Sequence, residues 1–154
     1  MTELATLAAD LRGQRLTYLV KRLEMAVRAR MEEVLRPLGV TLNQYTVLSI
    51  LERREGLSSA QLARRTYVTP QAMHQLVASM ERDGFIERRP DEAHRRILRA
   101  WLTGRGAEVL RSCHRVVDGL EERMLSALTP VEAVGFGRAL ERCVGALAEA
   151  RPGE

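Results

Sequence analysis

With 154 residues, 45% of them hydrophobic and 29% charged, the chain has the size and composition of one globular domain with a substantial core. No apolar run approaches the roughly 20 residues that cross a bilayer, and the N-terminal stretch has early acids and no apolar signal segment, so a cytoplasmic protein without a membrane role is expected. The net charge of +4 is small but localised: Ser58–Arg105 holds nine arginines against five carboxylates, while the rest of the chain balances.

Residues 1–13 are weakly patterned and read as a lead-in. Leu16, Val20, Leu23, Val27, Met31 and Val34 then recur every three or four residues, one face of a helix over Gln14–Leu35. Pro37 and Gly39 end it. Thr41 caps a second helix carrying Leu42, Tyr45, Leu48 and Leu51 on one side, and Gly56 closes it. Ser58, with Gln61 three residues on, forms a capping-box pattern for a short helix whose Leu62 and Ala63 face inward while Arg64 and Arg65 do not.

After a turn at Thr66–Val68, Thr69-Pro70 joins a cap to a proline at the first helical position, where no N–H is needed. The helix from Pro70 to about Arg82 buries Met73, Leu76, Val77 and Met80 and turns Gln71, Ala72, Gln75, Ser79 and Arg82 outward. Asp83-Gly84 stops it. Phe85–Arg89, halted by Pro90, and the alternating Ile97–Thr103 read as a β-hairpin around the charged loop Asp91–Arg96. Thr103 starts a long helix striped by Leu110, Cys113, Val117, Leu120, Met124 and Leu128. Thr129-Pro130 with Glu132 caps the last helix, lined by Val134, Leu140, Val144 and Leu147.

The expected fold is therefore mainly α with a small β-hairpin wing (α+β). A winged helix-turn-helix occupies 41–103 of a single domain spanning 1–154, with helical segments at 14–38 and 104–150. In such a module the first helix steadies the second, whose N-terminal side chains reach base edges in the major groove. Gln71 and Gln75 lie one turn apart, and glutamine bridges adenine N6 and N7. Ala72 permits close approach or meets a thymine methyl, and Thr69 and Pro70 sit at an N-terminus whose free N–H groups suit a phosphate. His74 lies on the flank, as a phosphate contact or as an ordinary surface histidine. Ser58 and Ser59 are candidate backbone contacts, and Arg95 and Arg96 stand at the wing tip, where narrow minor grooves attract arginine. A solvated helix and a basic surface loop are the plain alternatives for each feature alone; the order of all of them favours DNA.

No Gly-rich phosphate loop, HExxH, GxSxG or nucleophile–base pair points to an enzyme. Cys113 and Cys143 have no ligand spacing, so neither metal nor cofactor is expected and both are read as buried apolar fillers. A winged-helix module that binds protein without reading DNA is the alternative function.

The stretch LARRTYVTPQAMHQLVASMERDGFIERRPDEAHRRILRAWLTGRG, followed by LTPVE, resembles the MarR (multiple antibiotic resistance regulator) family of winged-helix transcription factors, and the flanking helices match its layout. The resemblance implies a ligand-responsive repressor that binds a near-palindromic operator in double-stranded DNA as a homodimer, with the first and last two helices interlocked. It implies release by a small aromatic or phenolic effector, and Tyr18, Tyr45 and His114 are candidates for bordering its pocket. The apolar stripes on the terminal helices agree independently, being more than the winged part alone covers. Oxidant-sensing relatives carry a cysteine in the first long helix, and this chain has none before Cys113. The family's wing usually places an Asp two residues before its minor-groove arginine; here His94 precedes Arg96, leaving Asp91 or Glu92 as substitutes.

Overall fold

A computed structural model describes residues 14–149; the expected lead-in at 1–13 lies outside them. The chain divides into two compact units after Val117, each taken by itself.

The first unit opens with α1 (Leu16–Leu35) and a 3₁₀ turn (Arg36–Leu38). Helix α1 starts two residues later than the pattern suggests, because its N-cap is Arg15, which makes no side-chain cap bond. Of α1, Met31 and Leu35 are buried and Leu23, Val27 and Val34 half-buried, while Leu16 and Val20, each 56% exposed, find no cover among the described residues. Helix α2 (Leu42–Arg53) begins in a complete capping box: Gln44 N–H donates to Thr41 Oγ1 at 3.2 Å and Thr41 N–H to Gln44 Oε1 at 2.9 Å. It buries Val47 alongside the expected Leu48 and Leu51.

Strand β1 (Leu57–Ser58), α3 (Ser59–Arg65), α4 (Pro70–Arg82), β2 (Ile86–Pro90), β3 (Leu98–Leu102) and α5 (Gly104–Leu125) follow. The hairpin is in fact two-thirds of a three-stranded antiparallel sheet of order β1-β3-β2, with Leu57 opposite Ala100 and Ile86 opposite Leu102. Two residues are too few to show the alternation by which a strand is recognised. The tertiary contact forms β1: Gly56, at φ +71°, turns the chain out of α2 and donates its N–H to the Ala100 carbonyl at 2.9 Å.

One core holds the unit together. Val47, Leu48 and Leu51 meet Leu62 and Ala63 of α3, Met73, Val77 and Met80 of α4, Ile86 and Ala100 of the sheet, and Leu110 of α5. The α4 face is as read, except that Leu76 is only partly buried. Where the sheet hands over to α5, the Thr103 hydroxyl donates to Gly84 O at 2.6 Å and accepts from Gly106 N–H at 3.0 Å. Gly106 is pressed so closely on the preceding turn that a Cβ there would stand 1.9 Å from the Phe85 carbonyl oxygen.

An ion pair fastens α4 to β2. Glu81 accepts from Arg88 Nη2 at 2.6 Å, Nε at 2.9 Å and the backbone N–H at 3.2 Å, and these bonds hold its carboxyl below the usual carboxylate range. A depressed folded-state pKa means stabilisation that is complete at neutral pH and disappears as pH falls through the folded value. Glu81→Gln should lower stability by about 1 kcal/mol at neutral pH, modest because the Glu81 side chain is 37% exposed and water screens the pair. The deficit should shrink below about pH 4 in denaturant titrations of the two proteins.

Cys113 is buried on α5, where burial pushes its thiol up and leaves it inert, as the filler reading expects. Cys143 departs from that reading. It is exposed on α6 (Pro130–Glu149), in the second unit, because the described residues of that unit leave this helix surface uncovered. Thr129 and Glu132 cap α6 reciprocally, Thr129 N–H donating to Glu132 Oε2 at 2.8 Å and Glu132 N–H to Thr129 Oγ1 at 3.3 Å. Val134, Leu140, Val144 and Leu147, the apolar residues expected to line the helix, are all exposed.

Candidate nucleic-acid interface

Helices α3 and α4 and the turn between them are built by local rules. Ser58 and Gln61 complete a second capping box, at 3.2 and 3.0 Å, which starts α3 at the end of β1. The chain leaves α3 at Thr66, whose hydroxyl donates back to the Leu62 carbonyl at 3.1 Å. Thr69 then accepts from Ala72 N–H at 3.2 Å, with Pro70 in the first turn, so α4 begins at a fixed residue and angle. Because Met73, Val77 and Met80 are held in the core, Thr69, Pro70, Gln71, Ala72, His74 and Gln75 all face outward.

A groove of about 450 Å³ lies between α3, α4 and the wing, bordered by Ser58, Ser59, Arg64, His74, Arg88 and Arg96. Four of these are expected site residues, from β1, α3, α4 and the wing loop, which the fold brings together. Gln71 and Gln75 stand outside the groove on the exposed surface of α4. Arg95 and Arg96 are exposed at the wing tip and make no hydrogen bond or ion pair with another described residue.

Three residues were not among the site residues expected from the sequence. Arg64 follows the inward Leu62 and Ala63 and so points out, a signal present in the helical period. Arg88 reaches the groove through its pairing with Glu81, a contact between elements that no spacing reveals. Tyr67, on the turn before α4, is completely exposed, an unusual placement for an aromatic ring.

The wing corrects one expectation. Neither Asp91 nor Glu92 pairs directly with Arg96. Asp91 instead pairs with Arg99, and its carboxyl lies below the usual range chiefly through that bond. The reason is strand geometry: Arg99 projects from β3 toward the base of the loop, whereas Arg96 lies beyond the strand at its tip.

Of the residues considered for an effector, Tyr45 and His114 meet and Tyr18 stands apart. The Tyr45 hydroxyl lies 3.2 Å from His114 Nδ1, and His114 Nε2 lies 3.0 Å from Glu52 Oε2, which ties α2 to α5. His114 thus engages both partners, one through each ring nitrogen. Tyr18 is exposed with Arg22 over its ring. A second hollow of about 450 Å³ opens between α1 and the start of α2, beside Arg28, Glu32, Arg36 and Thr41, and none of the three candidates lines it.

Two capped helices at a fixed angle, an exposed polar helix start and a hairpin carrying unpaired arginines define a winged helix-turn-helix. A MarR-family sequence profile matches residues 38–97. The HTH-type transcriptional repressor Rv2887 of Mycobacterium tuberculosis is 37% identical over 127 residues, 82% of this chain and 91% of that protein. Crystal structures of the M. tuberculosis MarR family protein Rv2887 superpose with a TM-score of 0.72, in complex with DNA (34% identity) and with p-aminosalicylic acid (35% identity), each covering 84% of this chain and 98% of the other. The chain belongs to the MarR family of transcriptional regulators.

Proposed function

We propose that this protein is a transcriptional repressor that binds a near-palindromic operator as a homodimer and is released by a small aromatic acid or phenol. The observation that carries the reading is the gathering of Ser58, Ser59, Arg64, His74 and Arg96 around one groove beside an exposed, capped reading helix. Kinship with Rv2887, solved with DNA and with p-aminosalicylic acid, supports the DNA partner and the class of effector.

In this reading 41–103 reads DNA, with Gln71, Ala72 and Gln75 at base edges, Thr69, Pro70 and His74 at the adjoining backbone, Ser58 and Ser59 on phosphates, and Arg95 and Arg96 in the minor groove. Segments 14–38 and 104–150 form the dimer, and the exposed apolar residues Leu16, Val20, Val134, Val144 and Leu147 are the surface that a partner buries. The two reading helices would then sit roughly 34 Å apart, one DNA turn. No helix among the described residues is long and apolar enough to cross a membrane, and a cytoplasmic site of action fits a DNA-binding regulator.

Selection of bound duplexes from a random pool should return an inverted repeat. Gln75→Ala should change which bases are selected, and Arg96→Ala should weaken binding across all sequences by about tenfold. If neither substitution alters DNA binding, the assignment is wrong.

A further inference from the structure

Nothing apolar among the described residues fixes the wing tip. Every residue from Glu92 to Leu98 is exposed, and the nearest buried side chain on β3 is Ala100. Yet the loop is not loose. Asp91 N–H donates to the Ile97 carbonyl at 2.8 Å and Ile97 N–H to the His94 carbonyl at 2.8 Å, closing it across its base. The Asp91 carboxylate accepts from Ala93 N–H at 3.0 Å and His94 N–H at 2.8 Å, so one side chain sets the turn leading into Arg95 and Arg96.

That same carboxylate pairs with Arg99 Nε, and Arg99 does not stop there. Its Nη1 donates to the Gly56 carbonyl at 2.9 Å and to Gln61 Oε1 at 3.3 Å, the oxygen that also accepts the Ser58 N–H of the α3 capping box. The Asp91 side chain is 12% exposed and that of Arg99 31%, so the pair is better shielded than surface pairs generally are.

We propose that Asp91 and Arg99 are the positioning residues of the wing: together they tie the loop bearing Arg95 and Arg96 to the capping box of α3. The wing arginines then meet DNA at a distance from α4 set by a chain of charge-assisted bonds rather than by packing. This inference rests on the DNA-reading role proposed above.

The decisive variant is Asp91→Asn, because charge and positioning predict opposite signs. Removing a carboxylate from a loop that faces phosphates should, by Coulomb repulsion alone, strengthen binding. Positioning predicts binding about tenfold weaker to a duplex selected by the wild-type protein from a random pool, with a shallower salt dependence and a thermal midpoint within a few degrees of wild type. In a protein already carrying Arg95→Ala and Arg96→Ala, Asp91→Asn should add no further loss, while Gln75→Ala should keep its full effect. Should Asp91→Asn lose its helical circular dichroism, Arg99→Lys, which keeps the charge but loses the forked donors, carries the same expectation. Equal or tighter binding by these variants, or a loss that adds fully to that of the arginine variants, overturns the positioning role. Failure of the wild-type protein itself to enrich any duplex overturns the DNA-reading role instead.

Discussion

Raising the salt concentration from about 50 to about 200 mM should weaken binding to a selected operator by about a thousandfold. A dimer that engages Arg64, Arg95 and Arg96 from each protomer brings about six cations into the phosphate field, and each releases close to one counterion from duplex DNA. The logarithm of the affinity should thus fall with the logarithm of salt at a slope of about −5 to −6. Arg96→Ala removes one contact per protomer and should make that slope shallower by about 2. Gln75→Ala, which changes no charge, should leave the slope alone while altering base preference. Fluorescence anisotropy across a salt series reads all three proteins. A winged helix that bound only another protein through an apolar face would show little salt dependence, so a flat series would sink the nucleic-acid reading and favour that alternative.

Gly106→Ala should unfold the protein more readily, by about 2 kcal/mol or more, although helix propensity argues the other way. Exchanging glycine for alanine inside an exposed helix adds about 1 kcal/mol of stability. At Gly106 the added Cβ would meet the Phe85 carbonyl oxygen at 1.9 Å and its carbon at 2.9 Å. Both are backbone atoms, and the oxygen accepts the Thr103 N–H at 3.1 Å, so relief requires moving α5 off the turn that starts it. Overpacking of this kind costs about 1–3 kcal/mol even where side chains can yield. Gly104→Ala is the matched control: its Cβ would have nothing within 4 Å, and its stability should stay close to that of wild type. Chemical denaturation midpoints of the two variants decide the matter, and equal midpoints would show that the close contact is not strained.

What the sequence revealed divides along the range of the forces involved. Thr41, Ser58, Thr69 and Thr129 cap helices through oxygens that reach only a few residues along the chain, and all four are legible as sequence patterns. The outer face of α4 is legible for the same reason: burial of Met73, Val77 and Met80 fixes where Gln71 and Gln75 point. Contacts between distant segments are another matter. Strand β1 exists because Gly56 and Leu57 meet Ala100, and the role of Arg99 depends on groups as far away as Gly56 and Asp91. An arginine in a strand reads simply as an outward residue until its partners are in place. The terminal helices show the converse. Their apolar stripes are evident, but Val20, Val144 and Leu147 are exposed, because the pattern records a surface to be covered without saying what covers it.

The sheet order β1-β3-β2 also bears on how safely two copies can sit side by side. A sheet of three strands has two open margins, and an open margin offers unpaired N–H and C=O groups to any neighbouring strand. On one side the margin is β1, only two residues long. On the other it is β2, whose Glu87, Arg88 and Arg89 are charged and whose last residue, Pro90, has no N–H to offer. A regulator that crowds onto neighbouring half-sites holds identical wings at high local concentration, the condition under which strands zip into aggregates. Short length, charge and proline leave these wings little to zip with, so copies brought close together should stay separate at their sheets.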